Sequence, residues 1–215
     1  MNGLNREVAR RLLVRHYAAE SPHHPVRVLD TGSMAPLIGG GTCTAQVEWA
    51  VSAADIPLGR LVVSVLPTGI VVLHRVVATR STTAAGLELL HAPDADDGDV
   101  WGLPARYVPL PTGYESPWVP EQSVLGMVSR VTSATGSCLY DARSACSRAT
   151  DSVALWFARR LAAGSDDDGP PRWMLRRARY VCLRTARLLT NAVWRVSGSP
   201  DRDAVGGVST GRSNQ

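Results

Sequence analysis

The sequence predicts a mainly β domain of antiparallel strands, with one helix before it and amphipathic helices after it. Between residues 26 and 132, short runs rich in Val, Ile and Thr alternate with turns rich in Gly, Pro and Asp, which is the pattern of short strands. One such turn, Pro67-Thr68-Gly69, separates two apolar runs and predicts a hairpin. Beyond about residue 135 the apolar residues follow helical spacing.

A short amphipathic helix is predicted first, over residues 4–19, and Ser21-Pro22 ends it. Six strands are then predicted: Val26–Leu29, Thr42–Trp49, Leu61–Leu66, Ile70–Thr79, Leu87–Leu90 and Val124–Thr132. Six prolines between residues 92 and 123 predict a long loop over the domain. Two helices follow, over Asp151–Ala163 and Arg172–Val196, joined by a linker over residues 164–171.

The chain therefore divides into four predicted segments. They are a helical segment over residues 1–25, the β domain over residues 26–134, a helical extension over residues 135–196 and a tail over residues 197–215. The tail is polar and rich in Gly and Ser, which is typical of disorder. With 215 residues, the chain is long enough for one well-cored domain and such appendages.

The cysteines and the N-terminal residues predict a cytoplasmic protein. Four cysteines stand without Cys-x-x-Cys or zinc spacing, which favours free thiols in a reducing compartment. Residues 4–19 carry charged side chains where a signal peptide needs an unbroken apolar run. No run of about 18 apolar residues occurs, so the sequence predicts no transmembrane helix.

All 23 basic residues are arginines, and the chain has five histidines. A serine nucleophile needs a base to take its proton, and histidine or lysine usually supplies it. Arginine does not deprotonate at working pH. Any catalytic serine in this chain therefore depends on a histidine.

Ser33 and His74 are the candidate nucleophile and base. Ser33 stands in the run Asp30-Thr31-Gly32-Ser33-Met34-Ala35-Pro36, where the glycine allows a tight turn that directs the Ser33 N–H at a developing oxyanion. His74 stands in the predicted strand Ile70–Thr79, where burial would keep its imidazole neutral and able to accept a proton. Taken alone, Ser33 is more typical of a turn serine and His74 of a core histidine.

Together the two segments resemble a known family. Thr31–Pro36 resembles the Ser-Gly-Ser-Met-x-Pro box around the nucleophile of type I signal peptidases and the related S24/S26 serine peptidases. Val72–Val77 resembles the His-Arg-Val box of the archaeal and endoplasmic-reticulum branch, and Ser33 and His74 are 41 positions apart in the family's order. His91–Asp99 is more weakly similar to that branch's Lys-Gly-Asp-Asn-Asn segment and the aspartate after it. The resemblance covers residues 26–131.

The resemblance implies a signal-peptidase/LexA-like antiparallel β peptidase fold. It also implies a serine endopeptidase that cleaves a signal- or leader-peptide-like precursor, bound as an added β-strand. In that activity Ser33 is the nucleophile, His74 is the general base, and either Asp99 or Asp94 orients the imidazole. Asp99 matches the family's second aspartate more closely, and the alternative for both is an acidic surface loop.

Four further residues take expected roles from these boxes. Thr31 matches a hydroxyl that assists the oxyanion in the family, and Met34 is expected to pack beneath the site. Arg75 should point to the sheet face opposite His74 and form a structural ion pair. His91 is expected to be a strand-end surface residue, with replacement of the family's lysine as the alternative.

Two other functions remain open. A catalytically inactive peptide-binding module could use the same groove, and a self-cleaving LexA-type regulator is disfavoured because lysine and an N-terminal DNA-binding domain are absent. No cofactor or metal site is predicted, since His23-His24 has no companion ligands at metal spacing. No nucleic-acid partner is expected.

The predicted helix Arg172–Val196 has an arginine-rich side and an apolar side. Six arginines fall within a sector of about 160° on a helical wheel; they are Arg176, Arg177, Arg179, Arg184, Arg187 and Arg195. The first interpretation is that the apolar side packs on the domain. The second is that the helix lies on an anionic membrane surface, with Trp173 and Trp194 near its ends. Contact with nucleic acid is the third and least favoured.

Overall fold

The structure, a computed structural model, describes residues 25–28, 34–38, 41–49, 51–65, 71–83, 86–92, 94, 118–162 and 171–197. These residues form eight strands, β1 Pro25–Val28, β2 Cys43–Trp49, β3 Leu61–Val65, β4 Val71–Thr82, β5 Gly86–Ala92, β6 Trp118–Pro120, β7 Val124–Ser133 and β8 Cys138–Asp141. Two helices follow, α1 Ala145–Ala162 and α2 Arg172–Ser197. Neither helix in this part of the chain is long and apolar enough to cross a membrane.

The strands form one antiparallel sheet that curls into a half-barrel. Their order is β1-β2-β7-β3-β4-β5-β6, and β8 also pairs with β7. β7 therefore pairs with three neighbours, β2, β3 and β8. At Gly126 of β7 a side chain would meet Val47 Cγ1 at 2.8 Å, so the glycine lets β2 approach closely. The predicted mainly β, antiparallel domain is confirmed.

The sheet buries apolar side chains on both faces. On β3, Leu61 and Val63 belong to one apolar cluster, whereas Val62 between them belongs to another. On β4, Leu73 joins the first cluster and Val76 the second. Successive residues of a strand point to opposite faces, so both faces of β3 and β4 are covered. This double burial explains why these strands read as nearly continuous apolar runs.

The helices α1 and α2 pack against each other, and α2 also packs on β8. Thr190 of α2 donates a hydrogen bond to Cys146 Sγ of α1 at 3.4 Å. The guanidinium of Arg130 on β7 lies 4.7 Å from the centre of the Trp194 ring. The C-terminal helix is therefore docked on the β domain.

The side of α2 that docks is not the expected one. The first interpretation placed its apolar side on the domain, but the buried residues of α2 are Arg179, Leu183 and Thr190. Arg179 and Thr190 have partners on other segments, Asp94 and Cys146, which lets this mixed face be buried. Six large apolar side chains remain 47–90% exposed; they are Met174, Val181, Leu188, Leu189, Val193 and Val196.

All six predicted strands are present, with ends that differ by at most three residues. The short strands β6 and β8 were missed, and α1 begins at Ala145 instead of Asp151. β3 and β4 pair antiparallel as the predicted hairpin requires, although its turn, Pro67-Thr68-Gly69, lies outside the described residues. The predicted N-terminal helix and most of the loop over residues 92–123, of the linker and of the tail also lie outside them.

Candidate active site

His74 is the fourth residue of β4, between strands β3 and β5. It pairs with Val62 and shares a sheet face with Val76, and its side chain is partly buried. Burial lowers the pKa of His74 from 6.5 to about 4, although the negative charge of Asp94 acts in the opposite direction. The imidazole is therefore neutral at pH 7 and can accept a proton.

His91 lies beside His74 on the same sheet face. It pairs with Val76 on the neighbouring strand, one diagonal step from His74. Its side chain is buried, and neither ring nitrogen has a hydrogen-bond partner among the described residues. Burial and the neighbouring His74 lower the pKa of His91 to about 3.

The expected surface position of His91 was wrong. β5 continues past the predicted end at Leu90 as far as Ala92, which pairs with Arg75. His91 therefore stands inside the strand ladder, on a covered face. The alternative, that it replaces a lysine of the family, stays a prediction.

Ser64 was not singled out from the sequence, yet it lies on this face too. It pairs with Val72 on β4, one diagonal step from His74 on the side opposite His91. Its hydroxyl is fully buried and has no hydrogen-bond partner among the described residues. Full burial withholds Ser64 from a substrate, so we assign it no catalytic role.

Asp94 is buried and bound to Arg75 of β4. The Arg75 Nε–Asp94 Oδ1 and Nη2–Oδ2 distances are 2.8 and 2.7 Å. Burial alone would raise the pKa of Asp94, but the positive charges of Arg75 and Arg179 bring it below its usual value. Both carboxylate oxygens bond to Arg75, so Asp94 acts on His74 through its charge. The structural ion pair expected of Arg75 is confirmed.

A second carboxylate, Asp151 of α1, completes the coordination of Arg75. The Arg75 Nη1–Asp151 Oδ1 distance is 2.6 Å, and Arg75 Nη1 also donates to the Gly59 carbonyl. Tyr140 and Arg60 donate to Asp151 Oδ2 at 3.0 and 3.2 Å. This network ties α1 to strands β4 and β8 and to the turn before β3.

The sequence held signals for this network. Asp151 is the only acidic residue in α1, and a lone acid on the buried side of a basic helix needs a cationic partner. Gly59 has a φ of +90°, and a side chain there would meet the Asp151 carbonyl oxygen at 2.9 Å. Glycine therefore permits both the turn and the approach of α1.

Ser33, Thr31 and Asp99 lie outside the described residues, whereas the turn directly after Ser33 is described. Met34 begins this turn, with its side chain buried, and its carbonyl accepts from Ile38 N–H at 2.9 Å. Met34 and Leu73 belong to the same apolar cluster. Met34 is thus packed in the core, but Leu73 points to the sheet face opposite His74, and the expected position of Met34 beneath the site stays a prediction.

Two further observations bear on the chemistry of the site. Within the described ranges, no three His, Cys, Asp or Glu side chains are placed to hold a metal ion. No protein-family model matches the chain, and no curated protein matches it. The resemblance of the two boxes to a peptidase family therefore stays a prediction.

Proposed function

We propose that the chain is a serine endopeptidase that cleaves a peptide or protein precursor, with Ser33 as nucleophile and His74 as general base. The observation that carries this proposal is the state of His74. Its partly buried imidazole has a pKa of about 4 and is neutral at pH 7, which is the form that accepts a serine proton. The specific fold that we propose for the curled antiparallel sheet is the signal-peptidase/LexA-like fold.

The turn that follows Ser33 is anchored on the face of the sheet that carries Leu73, which is opposite the face of His74. Met34 packs in the cluster that holds Leu73, and Arg187 Nη1 of α2 donates to the Pro36 carbonyl at 3.2 Å. The chain on one side of Ser33 is therefore fixed to the core and to a helix. The proposed mechanism therefore requires the chain before Met34 to carry Ser33 to the face of His74, where the near-attack geometry of nucleophilic catalysis could form.

In the proposed reaction, Ser33 Oγ attacks the scissile carbonyl while His74 takes its proton. The oxyanion of the tetrahedral intermediate is stabilised by the Ser33 N–H and the Thr31 hydroxyl. His74 then gives the proton to the leaving amine, and a water molecule, deprotonated by His74, releases the acyl group from Ser33.

Burial makes the intermediate imidazolium costly, as the lowered pKa of His74 indicates. A nearby carboxylate is needed to offset this cost. We propose Asp99 for the direct contact, because Arg75 already occupies both oxygens of Asp94. Asp94 contributes the longer-range negative charge.

The compartment that we propose is the cytoplasm, which rests on the cysteines. All four are free, and Cys182 is exposed to solvent. An exposed free thiol is typical of proteins kept under reducing conditions.

The proposal is tested with a library of internally quenched peptides, with products sequenced by mass spectrometry. We expect cleavage next to small side chains, and a loss of at least about a thousandfold in either Ser33→Ala or His74→Ala. The double variant should be little worse than either one, because the two residues act as a unit.

Ser81→Ala is the matched control, since Ser81 is an exposed serine on β4, and it should keep full activity. Near-normal activity of Ser33→Ala or His74→Ala would overturn the mechanism. Peptide binding without cleavage by the unaltered chain would instead favour the inactive binding module.

A further inference from the structure

The helix α2 has a docked side and an outward side. Arg179, Leu183 and Thr190 follow one line along the helix and are buried. Val181 stands two positions before Leu183, which places it about 200° around the helix from the docked line. The outward side is therefore the side opposite the domain.

The outward side is apolar. Met174, Val181 and Leu188 follow each other at intervals of seven residues, and they are 47%, 51% and 62% exposed. From Met174 to Val196, which is 90% exposed, the stripe runs about 33 Å along the helix. Soluble proteins rarely leave so long a run of apolar side chains uncovered.

Positive charge borders this apolar stripe. The helix contains seven arginines and no aspartate or glutamate. Arg177, Arg184 and Arg195 are exposed and follow one line, and Arg184 stands between Val181 and Leu188 at helix-neighbour spacing. Trp173 near the start of the helix is 68% exposed.

We propose that the outward side of α2 binds an anionic membrane surface, lying parallel to it with the apolar stripe in the interface. Helices that lie in membrane interfaces combine an apolar face, a tryptophan and basic residues beside the face. The arginine row fits the charge of anionic lipid headgroups, each basic residue contributing about 1 kcal/mol near such a surface.

Charge also decides between lipid and other occupants. In a dimer formed through this face, two arginine rows would meet with no acidic residue on either helix, which opposes association. A nucleic acid would pair with the arginines but would leave Leu188 and Val196 in contact with its phosphates. An anionic bilayer satisfies both features of the face at once.

Membrane binding by α2 would hold the candidate active site at the surface. Arg179 of α2 lies 3.6 Å from Asp94, and Arg187 contacts the turn after Ser33 through the Pro36 carbonyl. Binding itself does not depend on the proposed peptidase activity. Ser33→Ala should therefore bind vesicles as the unaltered chain does, which separates a failure of this inference from a failure of the catalytic proposal.

The test is co-sedimentation of the full chain with vesicles. We expect binding to vesicles of phosphatidylcholine with phosphatidylglycerol, weakening as salt is added, and little binding to phosphatidylcholine alone. The triple variant Arg177→Gln, Arg184→Gln, Arg195→Gln should bind about 100-fold less, at about fivefold for each arginine. The variant Val181→Gln, Leu188→Gln should lose about tenfold or more.

The matched control is Arg27→Gln, Arg80→Gln, Arg143→Gln, which removes the same charge outside α2. It should lose no more than about fivefold, because charges far from the membrane are screened. Equal losses in the two arginine triples, or no binding of the full chain to anionic vesicles, would overturn the inference. A concentration-dependent dimer that Leu188→Gln abolishes would assign the face to a second copy of the chain.

Discussion

Arg75 and Asp94 form a two-pronged ion pair in the interior of the protein, and neither side chain reaches solvent. Arg75 follows His74 in the chain but lies on the opposite face of the sheet, where Asp151 is its second partner. Two carboxylates thus surround one buried guanidinium. Removing any member leaves the others uncompensated in a region of low dielectric.

The first prediction concerns Arg75. Arg75→Met should lower the free energy of unfolding by about 3–5 kcal/mol, because the Asp94 and Asp151 carboxylates lose their buried partner. The control is Arg80→Gln, which breaks a partly exposed pair with Glu88 and a contact with the Trp118 ring; it should cost no more than about 1.5 kcal/mol. Urea unfolding measures both. Equal losses of unfolding free energy in the two variants would show that the buried ion pair contributes no more to stability than the exposed one.

The second prediction separates the two candidate acids. Asp94→Asn should destabilise the fold, because the charge of Arg75 would lose one of its carboxylates. Asp99→Asn should instead lower kcat strongly and leave the melting temperature nearly unchanged. Thermal unfolding and peptide cleavage are measured on both variants. The opposite pattern would assign the direct contact with His74 to Asp94.

The strands were predictable because their apolar runs and turns are local signals. β6 and β8 have three and four residues, too few for a pattern, and β6 pairs with β5 at positions such as Leu90 and Trp118 that are far apart in the chain. The docked side of α2 was not predictable for the same reason. The partners that allow burial of Arg179 and Thr190 are Asp94 and Cys146, each more than 40 residues away in the sequence.

The candidate site, too, was predictable only where its signals are local in the sequence. Ser33 and His74 could be chosen because each stands in a short run of characteristic residues. Asp151 could not be connected to Arg75, since 76 residues separate them and only the packing of α1 on the sheet joins them. The burial of His91 followed from two extra residues in β5, a change within the usual error of strand ends.

The third prediction concerns His91 and acid stability. The pKa of His91 is about 3 in the folded protein, whereas that of an unperturbed histidine is 6.5. Between these pH values the unfolded chain binds a proton that the folded protein excludes. Stability is therefore lost as the pH falls from about 6.5 to 3. His91→Leu should remove this contribution to the loss of stability in acid. At pH 7 the variant should be equally stable or up to about 1–3 kcal/mol more stable, because two unpaired buried nitrogens disappear.

His91→Gln is the control for the His91→Leu variant. Glutamine does not titrate, so it should share the flatter pH profile, but it keeps buried polar atoms and should lack the gain at pH 7. Urea unfolding at several pH values measures all three proteins. An unaltered acid profile in both variants would mean that His91 does not exclude its proton in the folded state.

The last prediction concerns the pH dependence of cleavage. If His74 is the base, kcat/KM should fall only when His74 becomes protonated, and this quantity reports the free enzyme. With the pKa lowered to about 4, the acid limb should lie near pH 4, well below the 6.5 of an unperturbed histidine. The measurement is kcat/KM for one library peptide between about pH 3.5 and 8, restricted to conditions in which the fold stays intact.

Asp94→Asn removes the charge that favours the imidazolium, so where this variant stays folded its acid limb should move to lower pH. An acid limb at about pH 6.5 in the unaltered protein, or one that Asp94→Asn leaves in place, would show that the catalytic base is not the buried His74.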